Sequence, residues 1–221
     1  MFDLRKLIFG EPDKPLAPAL AEALRAWAAL PAPDLDRSHF DGRYVLVDIA
    51  TTGPKPERDA VVSIAALALE RGGRLSPEGA FCVELTDGSG NVLPTVDAQL
   101  VAFLQFVGKD PLVTYHSGLV LGFLKPLLRQ RLGVEPASRD LDLAWLLPSM
   151  FGEVSPQAMP LDDWLQHFSG EIVRRRDPMS NAVELARLFQ RLLVRAIGRD
   201  IDTMALLLDE SSASSFLRRN H

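Results

Sequence analysis

Tyr44-Val45-Leu46-Val47-Asp48-Ile49-Ala50-Thr51-Thr52-Gly53 is the stretch that decides the fold. It reads as a short buried strand running into a Thr-Thr-Gly turn. Asp48 is an acid inside an otherwise apolar run, and such a group needs a physical reason to be there. Side chains two apart on a strand share a face, so Asp48 and Ala50 point the same way. A second acid at 50 would make a paired-carboxylate metal site. A methyl group stands there instead.

Working outward, 221 residues suffice for one core and an extension. Apolar residues make up 47% and charged residues 24%, as in ordinary globular proteins. No apolar run approaches the roughly 18 residues that span a bilayer, so no membrane association is expected. Met1-Phe2-Asp3-Leu4-Arg5-Lys6 lacks the layout of a secretion signal, and the expected location is cytoplasmic. The lone Cys82 has no internal disulfide partner and is expected in a strand as a small hydrophobe. A net charge of −5 argues against gripping nucleic acid through bulk electrostatics, though not against a local basic groove.

Residues 1–43 form an N-terminal helical extension. Pro12, Pro15 and Pro18 break its start, and Ala19–Leu30 carries Leu20, Leu24 and Trp27 at helical spacing before Pro31-Ala32-Pro33 ends it. This helix either docks on the main domain or serves a partner. From Tyr44 the pattern changes: strands are expected at Tyr44–Ala50, Asp59–Leu69 and Ala80–Leu85, joined as an antiparallel meander. A helix follows over Val96–Val107, then a strand over Leu112–Tyr115. Further helices are expected over Leu119–Leu132, Leu141–Leu147 and Leu161–Phe168, with Trp145 and Trp164 as core residues. Asp177-Pro178 starts another helix, Asp as N-cap and Pro at the first position, which Gly198 closes. Residues 199–221 hold a last, fairly exposed helix over Ile201–Leu217. The main domain, 44–198, is of the α/β class: a mixed sheet that begins with a three-strand antiparallel meander and is flanked by helices.

Three stretches together resemble the DnaQ-like 3′–5′ exonucleases, the family of the DNA polymerase III epsilon subunit, of ribonuclease H-like fold. Val47-Asp48-Ile49-Ala50-Thr51-Thr52-Gly53 is similar to the family's Asp-x-Glu-Thr-Thr-Gly. Leu112-Val113-Thr114-Tyr115-His116-Ser117-Gly118-Leu119-Val120-Leu121-Gly122-Phe123-Leu124 resembles its Leu-Val-Ala-His-Asn-Ala-x-Phe-Asp-x-x-Phe-Leu. Arg176-Asp177-Pro178-Met179-Ser180-Asn181-Ala182 resembles His-x-Ala-x-x-Asp-Ala. Order and spacing agree over roughly residues 40–197.

The resemblance implies two-metal phosphodiester cleavage: four acids hold divalent cations and a histidine accepts the proton of the attacking water. Of the five implied positions Asp48 alone is kept. The second acid becomes Ala50 and the fourth Asn181. The third falls at Val120, or at Leu121 if His116 sets the register, and nothing from Ser117 to Leu124 is acidic. The base becomes Arg176, which accepts no proton. Asp177 reads as a helix cap and Glu184 lies a turn further on, so neither restores the set. The segment Thr86–Asp110 is shorter than the family's and lacks its Ser-x-x-Ile-His-Gly element. The expectation is therefore a degenerate exonuclease fold, a pseudoenzyme, that binds a protein partner or nucleic acid without cleavage. Asp48 is at most a vestigial metal ligand, paired by a hydrogen bond or with Arg176, and no cofactor is expected. The alternative is a weak 3′–5′ exonuclease using Mg²⁺ or Mn²⁺.

Arg187, Arg191 and Arg195 recur every four residues and form one stripe, led by Arg174-Arg175-Arg176. The stripe is either a nucleic-acid edge or a solvated face, with Glu184 one turn from Arg187. His116 reads as a satisfied histidine at a strand end or as a polar group of the old cleft. Oligomeric state is open.

Overall fold

The computed structural model describes residues 14–135, 139–170 and 177–219. Helix α1 (Pro18–Ala28) precedes strands β1 (Tyr44–Thr51), β2 (Val61–Leu69) and β3 (Ala80–Glu84). Then come α2 (Val96–Val107), β4 (Leu112–Thr114), α3 (Ser117–Leu132), β5 (Asp140–Asp142), α4 (Leu143–Met150), α5 (Leu161–Ser169), α6 (Pro178–Ile197) and α7 (Met204–Arg219).

The strands form one sheet in the order β3-β2-β1-β4-β5. The first three pair antiparallel as the expected meander, and β4 and β5 add to β1 in parallel. β1 is central and buried on both faces, which is why its sequence is nearly continuous in apolar residues rather than alternating. Tyr44 and Leu46 face a core made with α4, α5, α6 and α7. Val45 and Val47 face a second core with α1, α2 and α3. The period of two places Asp48 and Ala50 on the first face, toward α6.

Three departures from the sequence reading have local causes. β2 starts at Val61 rather than Asp59, because Asp59 turns back to accept the Lys55 N–H at 2.8 Å. A Cβ at Gly53 would lie 2.5 Å from Asp59 Oδ2, so this close approach requires glycine there. The segment expected to be helical from Leu141 begins as β5: three residues are too short to show a period, and the helix starts only after Asp142 caps it. The last helix is docked rather than exposed. Met204 and Leu207 are buried, and Ser211 Oγ accepts the Asp142 N–H at 3.2 Å.

The extension docks too. Leu24 and Trp27 of α1 are buried against α2, and Trp27 Nε1 donates to the Gly108 carbonyl at 2.9 Å. A buried His39 closes the junction into β1, with Nδ1 2.7 Å from the Tyr44 hydroxyl and Nε2 2.8 Å from the Ile201 carbonyl. A carbonyl only accepts, so Nε2 carries the proton and Tyr44 donates to Nδ1. Burial lowers the His39 pKa and raises that of Tyr44. Among the described residues no helix is long and apolar enough to cross a membrane.

Candidate functional site

The half-buried Asp48 lies near the end of β1, beside Ala65 of β2, with Ala50 beside Ser63. α6 crosses this face and brings the third motif to it. Asp177 is the N-cap of α6 as expected, accepting the Ser180 N–H at 2.8 Å and the Ser180 hydroxyl at 2.8 Å. Those bonds hold its carboxyl below the usual range and commit it to the cap. One turn in, Asn181 Nδ2 donates to Asp48 Oδ2 at 2.6 Å. The amide thus meets the carboxylate with a donor where the resemblance implies a second anion. Its other atom, Asn181 Oδ1, is buried with no hydrogen-bond partner among the described residues.

The position of the third acid is apolar in either register. Val120 and Leu121 both lie on α3 in the core beneath the sheet, 3% and 8% exposed. Arg176, at the position of the base, lies outside the described residues, as do Arg174 and Arg175, so the expected pairing with Asp48 falls there as well. A pair of hard divalent cations needs several carboxylate oxygens. Asp48, Ala50, Val120 and Asn181 supply one carboxylate, and that one accepts an amide N–H. This donor set does not fit two cations. Among the described residues no group of three or more His, Cys, Asp or Glu is placed to hold a metal ion.

His116 is not simply at a strand end. It is the residue before α3, in the left-handed region at φ 60°, with its backbone N–H bonded to Asp142 and its ring edge-on to that of Tyr115. Asp142, only 5% exposed, accepts the backbone N–H of His116 and of Ser117, each at 2.9 Å, and of Ala144 at 3.0 Å. One buried carboxylate therefore caps both α3 and α4, where the N-terminal partial charges favour an anion. The sequence reading passed over Asp142. Its signal was an acid just before an apolar helical run, the pattern of an N-cap.

The arginine stripe is present but largely engaged. Arg187 pairs with Glu184 at 2.8 Å. Arg195 donates to the Met150 carbonyl at 3.0 Å, pairs with Glu153 at 2.7 Å and lies over the Phe151 ring. Arg191 lies over Phe168. Cys82 corrects its expectation: it is in β3, but exposed on the edge strand rather than packed. What burial it has raises its thiol pKa, and the carboxylates of Glu84 and Asp177 add to the shift. Trp164 is fully buried, as expected.

No family model matches the chain. It is 32% identical over 99 residues to the DNA polymerase III PolC-type of Clostridium perfringens, which covers 39% of this chain and 7% of that protein. It is 25% identical over 187 residues to the DNA polymerase III PolC-type of Oceanobacillus iheyensis, which covers 76% of this chain and 12% of that one. The chain thus spans a small fraction of these relatives' length. Among solved structures it is similar to cell-death related nuclease 4, with a TM-score of 0.51 and 14% identity over 70% of this chain and 64% of that one. It is also similar to the metal-free form of the E. coli ExoI–ssDNA complex, with a TM-score of 0.52 and 12% identity over 71% of this chain and 42% of that one. The fold is the ribonuclease H-like, DnaQ-like exonuclease fold.

Proposed function

From an exonuclease fold whose ligand positions are occupied by Ala50, Val120 and Asn181, we propose that this chain is a binding module that does not cleave nucleic acid. The observation that carries this reading is the Asn181 amide donating to Asp48 at 2.6 Å. In a two-metal site, facing carboxylates repel and the cations offset that repulsion. Here a neutral donor stabilises the remaining acid directly, where a second carboxylate would have needed a cation. The target is a protein rather than nucleic acid. A net charge of −5 and the engagement of Arg187 and Arg195 with Glu184 and Glu153 support that choice.

The test is incubation of the full chain with 3′-labelled single-stranded DNA in Mg²⁺ or Mn²⁺. The expected outcome is no digestion above that of Asp48→Ala. Metal-dependent digestion that disappears in Asp48→Ala would overturn the reading and return the chain to a working exonuclease. The solved ExoI relative is a complex with single-stranded DNA, so anisotropy of labelled DNA belongs in the same experiment. Salt-dependent binding that is lost when Arg187, Arg191 and Arg195 are reversed together would move the target from protein to nucleic acid.

A further inference from the structure

The sheet face opposite Asp48 carries a feature that the exonuclease resemblance does not account for. A cavity of about 330 Å³ lies between the extension, α2 and α3. Trp27, Leu104, Val107, Leu121, Leu124 and Leu128 give it an apolar interior. That volume falls at the lower end of small-molecule sites. The extension builds one wall: Trp27 is fixed by its bond to the Gly108 carbonyl, and Leu30, Ala32 and Pro33 continue past the end of α1. Without residues 18–33 this would be an open groove between α2 and α3.

The charges at its mouth are unbalanced. Of the two acids there, Asp110 is paired with Arg43 at 2.8 Å and Glu135 is paired with Arg129. Three cations line the same mouth, Lys109, Lys125 and Arg139, and none has an ion-pair partner among the described residues. Lys109 Nζ instead sits 3.3 Å from the centre of the Trp27 ring, and burial lowers its pKa. An apolar interior under a mouth of uncompensated positive charge selects an apolar body with one anionic end. A neutral apolar molecule would leave the cations unmatched, and a polar anion would leave the interior unfilled.

We propose that the cavity between α1, α2 and α3 binds an amphiphilic monocarboxylate, with its hydrocarbon among Trp27, Leu121 and Leu128 and its carboxylate met by Lys109, Lys125 and Arg139. The extension is the part of the chain that completes this site.

The experiment is titration of the full chain with decanoate and, separately, 1-decanol, below the micelle concentration. It is followed by calorimetry and by Trp27 fluorescence, with Trp27→Phe as the control for signal origin. Saturable decanoate binding at one site, with decanol about ten-fold weaker, is the expected result. The Lys125→Gln/Arg139→Gln pair removes two cations and leaves the contact of Lys109 with the Trp27 ring in place. It should weaken decanoate about ten-fold and leave decanol within about two-fold. No saturable decanoate binding overturns the proposal. So does equal affinity for the alcohol and the acid, which would make the cavity an apolar docking site without anion selectivity. Decanoate affinity unchanged in the Lys125→Gln/Arg139→Gln variant also overturns it.

Discussion

Asp48 and Asp142 are two acids on strands of one sheet, and they are stabilised in different ways. Asp142 on β5 is nearly inaccessible and is met by three backbone N–H groups that open α3 and α4. Asp48 on β1 is half-buried and is met by a side-chain amide from α6. The first is held by donors that no substitution of neighbouring side chains removes. The second is met by the side chain of Asn181, which a single substitution changes. An acid in a strand is therefore not in itself a sign of chemistry: what distinguishes these two acids is which groups stabilise them.

The largest expected effect is at Asp142. Asp142→Ala leaves three backbone donors without their acceptor, at a cost of about 3 kcal/mol or more. For a chain of this length that lowers the melting temperature by roughly 10 °C. Asp142→Asn retains one acceptor oxygen and should fall between the two. Urea or thermal unfolding measures it, and a change of a few tenths of a kcal/mol would remove the distinction between the two acids.

The contrast also separates what the sequence makes legible from what it hides. β1 and α6 are readable because each carries a strong local signal: an apolar run closed by Thr-Thr-Gly, and Asp177-Pro178 ahead of a helical apolar stripe. The loss of acids at Ala50 and at Val120 or Leu121 is readable through the resemblance, since no register supplies one. The Asp48–Asn181 bond joins residues 133 positions apart, and no local pattern encodes its geometry. β5 is three residues long and shows no period, so the role of Asp142 was lost with it. The cavity beside Trp27 is likewise a product of packing. Its lining residues read from sequence only as the apolar faces of separate helices.

A smaller effect, about 2 kcal/mol, is expected from Asn181→Asp, which replaces the amide donor with a second carboxylate against Asp48. Two carboxylates this close titrate as a pair, and repulsion raises the pKa of one above its unfolded value. The folded state then takes up a proton that the unfolded state does not. The penalty is therefore present at neutral pH and disappears as pH falls through the raised value. Millimolar Mn²⁺ should also recover part of the loss in Asn181→Asp and none in wild type. Urea melts at two pH values, with and without Mn²⁺, decide it. Stability equal to wild type at neutral pH without metal would mean that Asn181 does not stabilise Asp48.

His39 gives the smallest effect and extends the comparison to a buried base kept neutral. Its ring is fixed between the Tyr44 hydroxyl and the Ile201 carbonyl, and burial is the main cause of its lowered pKa, with Ile201 and Asp202 opposing. A proton on Nδ1 would face the Tyr44 O–H that now donates to it, so protonation costs both desolvation and a hydrogen bond. The unfolded chain takes up that proton near the ordinary value of 6.5, whereas the folded chain does so only at lower pH. His39 thus contributes stability that is present above this value and is lost as pH falls from it toward the folded pKa. Wild type should lose stability between about pH 7.5 and about pH 5.5, and His39→Gln should lose less over the same interval, though starting lower. The difference between the two slopes isolates His39 from the carboxylates, which titrate in both proteins. Parallel slopes would mean that His39 takes up its proton at the same pH folded and unfolded, and a wild type that loses less than His39→Gln would mean that the imidazole is already charged in the fold. Tyr44 would then be an acceptor, and the junction between the extension and β1 would be held by an ionic contact rather than a neutral one.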